Sequence, residues 1–232
     1  MVAPAREVAV RVLQRVEQDA AWATPTLDAE VRRASLGRAD SALATQIVYG
    51  TLRVLPNLDA AIQRHAKRPV TVDAWTHAAL VSAVFQLQHL GRVPSHAVVD
   101  DAVALVRVKR GKRLAGFANA ILRKLAAARP DEPKPPTSVV VPKWLDRELR
   151  ASIGDESTET LLRIEGDATT TDLRIVRGVD AEQVRASIAE DRPQVTLEPT
   201  LLSPVGLRVR GAGDPRSLRM HIEGAVAVQE EG

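Results

Sequence analysis

GKRLAGFANAILRKLAAA, residues Gly111 to Ala128, decides how the first half of this sequence is read. Leu114, Phe117, Ala118, Ile121 and Leu125 fall at i, i+3, i+4, i+7 and i+11. That spacing gathers them on one face of an α-helix and scatters them over both faces of a strand. Working outward, the same period recurs at Val98, Ala102 and Val106, at Leu43, Ile47 and Val54, and at Val8, Val12 and Val16. The stretch from Val72 to Leu90 is apolar nearly all round, which predicts a central helix enclosed by the others. Pro56 and Pro94 stand where helices can begin, because a first turn tolerates proline. The reading is one bundle of six or seven helices, without the fixed repeat of roughly 30–45 residues that a solenoid needs.

Beyond residue 142 the pattern changes. KWLDRELRASIG and DESTETLLRIEG read as two short helices. DLRIVR, QVTLEP, GLRVR and AVAVQ read as strands, with a helix in DAEQVRASIAED and a short piece through Met220. Strands interleaved with a helix predict a small α+β domain. Between the halves, Ala128 to Trp144 holds Pro130, Pro133, Pro135, Pro136 and Pro142, and neither a helix nor a central strand crosses such a cluster. Charge reverses there too. Residues 1–129 hold 19 Lys+Arg against 10 Asp+Glu, or +9, and residues 130–232 hold 13 against 19, or −6. The expected organisation is therefore a helical domain over 1–129, a proline-rich linker over 130–142 and an α+β domain over 143–232.

At 232 residues, 45% hydrophobic and 26% charged, the chain is ordinary for a soluble globular protein with two modest cores. No apolar run reaches the roughly 18 residues of a membrane span, and MVAPAREVAV lacks the pattern of a secretory signal, so a cytoplasmic protein is expected. There is no cysteine, which excludes thiolate metal sites and cysteine nucleophiles within these residues. His65, His77, His89, His96 and His221 show no metal-ligand spacing. Asp100 and Asp101 point about 100° apart on a helix and make no carboxylate pair. RVRGAGDP (Arg208 to Pro215) follows a strand-like run but lacks the third glycine of a cofactor loop, so it reads as an ordinary turn.

What remains is basic. VRVKRGKR (Val106 to Arg113) sets Arg107, Lys109, Arg110, Lys112 and Arg113 around one glycine between two helices, with Arg123 and Lys124 on the next. A charge run is often only a solvated face, but a whole domain at +9 supplies the field that phosphate neutralisation needs. In IVYGTLR (Ile47 to Arg53), Tyr49 and Arg53 share a helical face. Gly50 costs about 1 kcal/mol relative to Ala in mid-helix, which points to a close helix–helix approach. Tyr49 is expected to anchor the core through a satisfied hydroxyl, and the role of Arg53 stays open.

QIVYGTLRVLPNLDAAI and VPSHAVVDDAVALVRVKRGKRLAGFANAILRKL resemble the NusB-type helical RNA-binding domain. YGTLR with FANAILRK resembles the form found at the N-terminus of bacterial 16S rRNA (cytosine-C5)-methyltransferases, the RsmB/Sun family. PKWLDRELRASIG and TTTDLRIVR resemble the segment that follows it, and GAVAVQEEG the strand entering the catalytic domain, so the likeness spans essentially the whole chain. One departure stands out: after LR and an apolar residue the family carries Asn, and here Val176 and Arg177 follow.

The resemblance implies a mainly α protein, a NusB-like bundle followed by a small α+β domain. In that family a Rossmann-like domain binds S-adenosylmethionine and supplies two cysteines, because carbon-5 of cytosine becomes nucleophilic only once a thiolate adds at C6. This chain then looks like the front portion of such an enzyme: no cofactor of its own, 16S rRNA or another structured RNA as partner, no membrane and no metal. The expected RNA contacts are Arg53, Lys109, Arg110, Lys112, Arg113, Arg123 and Lys124, with the 109–113 run a solvated loop of little packing energy. Sequence preference is expected to be weak, since most of Trp22, Trp75, Trp144, Phe85, Phe117 and Tyr49 sit where a core would claim them. A NusB-like antitermination factor and a helical interaction module without RNA are the competing readings. The length beyond residue 143 counts against the former.

Overall fold

The computed structural model describes residues 2–66, 71–132, 138–164, 171–201, 203–211 and 215–229. The chain divides into two compact units, residues 1–167 and 168–232.

The first unit is helical: α1 (Pro4–Asp19), α2 (Ala23–Arg33), α3 (Arg38–His65), α4 (Ala74–His89), α5 (Ser95–Ala127), α6 (Lys143–Ile153) and α7 (Asp155–Ile164). Two of these are broken. The path of α3 leaves helical geometry at Val54 (φ −125°, ψ 18°), two residues before Pro56, whose missing donor and ring clash disrupt the turn behind it. The path of α5 breaks at Gly111 (φ +80°, ψ −177°), a conformation only glycine adopts freely. Among the described residues the bundle before the proline cluster thus runs as seven helical pieces, in line with the periodicity.

Helix α4 is enclosed, with both polar and apolar side chains buried from Trp75 through Leu87 except the half-buried His77. Around it pack Val8, Val12 and Leu13 of α1, Ile47, Leu58 and Ile62 of α3, and Val98, Val106, Ile121 and Leu122 of α5. Gly50 is where α3 meets α4. A Cβ there would stand 2.0 Å from Cζ of Phe85, which is 2% exposed. The glycine is thus explained by packing, as expected. Tyr49 packs on the same core and its hydroxyl lies 2.7 Å from Thr24 Oγ1. Asp101 accepts from Arg6 Nη1 at 2.5 Å while Asp100 is exposed, so the adjacent aspartates do part company.

The proline-rich stretch does not part the molecule where the sequence suggested. Pro133, Pro135 and Pro136 lie outside the described residues, but Val140 returns to the bundle. Its amide donates to the Arg53 carbonyl at 2.7 Å and its side chain packs on the core. The Val139 amide donates to the carbonyl of Leu162 in α7, and Arg150 of α6 meets Asp155 of α7 at 3.1 Å. Residues 138–164 therefore belong with the helical unit. Prolines mark where regular hydrogen bonding stops, which need not be where contacts stop.

The second unit holds β1 (Thr171–Ile175), α8 (Ala181–Asp191), β2 (Thr196–Pro199), β3 (Gly206–Arg210), a 3-10 turn at Pro215–Ser217, α9 (Arg219–Ile222) and β4 (Val226–Val228). The sheet order is β2-β3-β1-β4, antiparallel throughout. Leu173, Ile175, Leu207, Val209 and Val226 alternate inward and meet Val184 and Ile188 of α8 with Leu218 and Met220. Asp172 and Arg208 are register partners of β1 and β3, joined by two hydrogen bonds of 2.9 Å. Val176 ends β1 through its backbone alone, donating to Ala225 and accepting from Val179. The fold class matches expectation, and of AVAVQEEG the last three residues lie outside the described ones.

Two outcomes follow from the bundle's packing. Gly50→Ala forces Phe85 to move, and is expected to cost about 1–3 kcal/mol in urea denaturation, part of it recovered by Phe85→Leu. The second concerns His77 of α4, whose Nε2 lies 2.7 Å from Asp59 of α3 and whose Nδ1 lies 2.7 Å from Glu17 of α1. The Asp59 bond, opposed by burial and aided by Glu17, raises its pKa from 6.5 to about 9. Because the folded-state value is the higher one, the bridge stabilises fully below about pH 6.5 and is lost as pH rises through about 9, on the order of 2 kcal/mol. Unfolding midpoints are expected to fall across that interval, and His77→Gln to flatten the fall. An equal slope in the variant would assign the loss to another group.

Candidate nucleic-acid interface

The break at Gly111 sorts the basic run into two kinds of residue. Lys109 and Arg110 end the first piece of α5, and Lys112 and Arg113 begin the second. Arg110 Nε donates to Asp73 Oδ1 at 2.7 Å. Asp73 is also the N-cap of the enclosed helix α4, accepting from the amides of Trp75 and Thr76 at 3.1 and 3.2 Å and from Thr76 Oγ1 at 2.7 Å. Burial opposes ionisation of that carboxyl, but the bonds from Thr76 and Arg110 outweigh it and hold its pKa below the usual carboxylate value. Lys109 lies over the ring of Trp75, with Nζ 5.5 Å from the centroid, while the indole N–H donates to the Leu105 carbonyl at 3.1 Å. The expectation of a solvated loop therefore fails for these two residues, which are exposed yet fastened to the core helix. Lys112 and Arg113 fit it, being exposed with no ion pair among the described residues.

Lys109 and Arg110 form one wall of an open cavity of about 380 Å³. Arg11, Gln14 and Arg15 of α1, Glu30 and Arg33 of α2, and the buried Trp75 complete its lining. Five cations and one carboxylate thus line the same space. Glu30 is 8% exposed; it takes Arg33 at 2.5 Å and lies 4.0 Å from Arg15. Arg11 pairs with Glu7 along the helix, and Arg15 lies 3.8 Å from Asp19. An enclosure of guanidinium and ammonium groups, fixed by carboxylates behind them, offers an anion several donors without reorganisation.

Reading the sequence missed Arg11, Arg15 and Arg33. Arg11 and Arg15 are four apart, on one polar face of α1, and that spacing was the available signal. Only packing shows that this face meets the end of α2 and the break in α5. The other expected residues stand apart. Arg123 and Lys124 are exposed, roughly 18 Å further along α5 by helical rise. Lys124 Nζ caps the end of α3 at the His65 carbonyl, 3.3 Å away, and Arg123 Nε bonds Asn119 at 3.2 Å. Arg53 is half-buried on α3, beside Val140. Among the described residues no His, Asp and Glu group is arranged for a metal ion, and no helix is long and apolar enough to cross a membrane.

Residues 3–127 match the model of the NusB family. The chain belongs to that family. Outside the NusB domain the likeness continues. The probable ribosomal RNA small subunit methyltransferase B of Bacillus subtilis is 26% identical over 83% of this chain and 44% of its own length. The ribosomal RNA small subunit methyltransferase B of Xanthomonas campestris is 31% identical over 82% and 43%. This chain therefore spans less than half the length of those two relatives. Among solved structures, PH0851 superposes over the whole chain and 54% of its own, with a TM-score of 0.70 and 19% identity. NusB in its complex with NusE and double-stranded RNA covers 54% of this chain, with a TM-score of 0.50 and 22% identity. These two establish the fold.

The two kinds of cation are separable by stability. Arg110→Glu places a carboxylate against Asp73 and the α4 cap, and is expected to cost about 1–2 kcal/mol in thermal denaturation. Lys112→Glu and Arg113→Glu are expected to stay within about 0.5 kcal/mol of the parent. Equal losses at positions 110 and 112 would contradict the division.

Proposed function

We propose that the NusB domain of this chain is the RNA-recognition portion of an S-adenosylmethionine-dependent 16S rRNA cytosine-C5 methyltransferase. The supporting observation is the cavity at the break in α5, where cations from three helices converge on one space within a domain of +9. RNA phosphates are the ligand such a surface suits, since each neutralised phosphate releases counterions. Lys109, Arg110, Lys112 and Arg113 are the proposed contacts from the sequence, joined by Arg11, Arg15 and Arg33. Arg53, Arg123 and Lys124 are proposed as outlying contacts along a longer RNA. Similarity that runs past residue 127 into methyltransferases favours this reading over a free-standing antitermination factor.

The methyl-transfer chemistry is not assigned to these residues. A cofactor cradle needs a strand leading into a helix whose amides face the ligand. Here β3 is antiparallel to both neighbours, and a 3-10 turn at Pro215–Ser217 follows it. Ala212, Gly213 and Asp214 of the GAGDP turn lie outside the described residues. Among the described residues no strand leads into such a helix at this turn, and the thiolate that adds at C6 is a residue type these 232 positions lack.

The experiment is an anisotropy titration of a labelled 16S rRNA fragment at several salt concentrations, from about 50 to 200 mM. Affinity is expected to fall steeply with salt. A variant carrying Arg11→Gln, Arg15→Gln, Lys112→Gln and Arg113→Gln is expected to bind more weakly, its log–log salt slope shallower by about one for each phosphate no longer neutralised. Arg33 is left in place, because without it the buried Glu30 would lose its nearest partner. A folded variant with the parent's affinity and slope would move the interface elsewhere.

A further inference from the structure

Of the six aromatic side chains, four belong to the core of the helical unit. Trp75 and Phe85 are buried, and Tyr49 and Phe117 pack against it. Trp144 on α6 is 61% exposed. Trp22, at the corner between α1 and α2, is 84% exposed.

That corner is a rigid mount. Ala20 closes α1 in the left-handed region (φ +50°). The amide of Ala21 donates to the carbonyl of Arg15 at 3.3 Å, and the Trp22 carbonyl accepts from the Thr26 amide at 3.2 Å. Thr24 Oγ1 meets the hydroxyl of Tyr49 at 2.7 Å, tying the start of α2 to α3. The backbone under the indole is therefore held by three helices while the ring stands in water. One residue links this corner to the basic cavity: the backbone of Arg15 anchors Ala21, and the side chain of Arg15 lines the cavity. The carboxylates nearest in sequence are occupied, Glu17 by His77 and Asp19 by Arg15. They do not leave an acidic rim around the ring.

We infer that Trp22 is a stacking platform for one unpaired RNA base, on a strand whose phosphates cross the neighbouring cavity at Arg11 and Arg15. The inference rests on the RNA reading above and adds to it a preference for unpaired RNA. Cations at the cavity attract any polyanion, paired or not. A free indole face takes a base only when that base is splayed out of a helix, and takes every base, because each has a π-face. The ring therefore favours single strands, bulges and loops over duplex RNA without reading sequence.

The test compares the parent chain, Trp22→Ala and Trp22→Phe, titrated with a labelled single strand of about 12 nucleotides and with the duplex made from it. Trp22→Ala is expected to lose about tenfold in affinity for the single strand and nothing for the duplex, with an unchanged salt slope, because no charge is removed. Trp22→Phe is expected to recover most of the loss. In a Trp144→Phe background, where Trp22 is the exposed indole, the single strand is expected to quench tryptophan emission. Single-strand affinity equal to the parent's in Trp22→Ala, or an equal loss for both RNAs, overturns the stacking role alone. A parent chain that binds neither RNA overturns the RNA reading and the stacking role with it.

Discussion

The helical unit depends on the burial of α4. A helix buried on nearly every side offers its neighbours no broad polar side to avoid, so α1, α3 and α5 all pack against it. That arrangement removes freedom in two places. Where α3 meets the helix the side chain shrinks to Gly50, because Phe85 occupies the volume. At the N-terminus of α4 the orphan amides lie away from bulk water and need an internal acceptor. Asp73 is that acceptor, and it remains ionised against burial because it is so fully hydrogen-bonded. An ionised cap at the edge of a core attracts a cation in turn, and Arg110 supplies it. The candidate site is thus attached to the most constrained point of the fold.

Holding five cations around one space raises a problem that the second helix resolves. Like charges at such range repel, and long side chains left to themselves spread into solvent. Glu30 sits behind Arg33 and Arg15 as a buried counter-charge, and the more exposed Glu7, Asp19 and Asp73 pair with Arg11, Arg15 and Arg110. Each carboxylate lowers the net field but fixes a direction for its partner. The balance favours a site that meets an anion with ordered donors over one that merely attracts it. Lys112 and Arg113, without such partners among the described residues, contribute to the field and little to the geometry.

Local period carried most of the fold. The enclosed helix was visible because Val72 to Leu90 has no polar stripe, and the strands were visible because residues such as Leu173 and Ile175 alternate inward. What local period cannot carry is the meeting of polar faces from distant elements. Arg11 and Arg15 look like the solvated side of an amphipathic helix until α2 and α5 are packed beside them. Lys109 and Arg110 look like loop residues until Asp73 and Trp75 are found beneath. The break between units was misplaced for a related reason: proline content at 130–142 is a local property, whereas the amide of Val140 bonds to Arg53, far back in the chain. Trp22 is the same lesson in reverse. Composition assigns a tryptophan to a core by default, and only the packed corner leaves it outside.

The two proposed kinds of RNA contact, at the cavity and at Trp22, obey different physics. Phosphate contacts act through a field that salt screens within about 10 Å, and they are indifferent to the base they follow. Stacking is short-ranged, nearly insensitive to salt, and indifferent to the phosphate. A surface built from the first alone would bind any duplex; one built from the second alone would bind weakly and without orientation. Arg15 contributes its side chain to the cavity and its carbonyl to the corner beneath Trp22, so one residue links the two. A strand held at both would be fixed in position by its charge and in local structure by its unpaired base. The proposed role, to present one cytosine of a long folded RNA to a reactive centre elsewhere, calls for both constraints together.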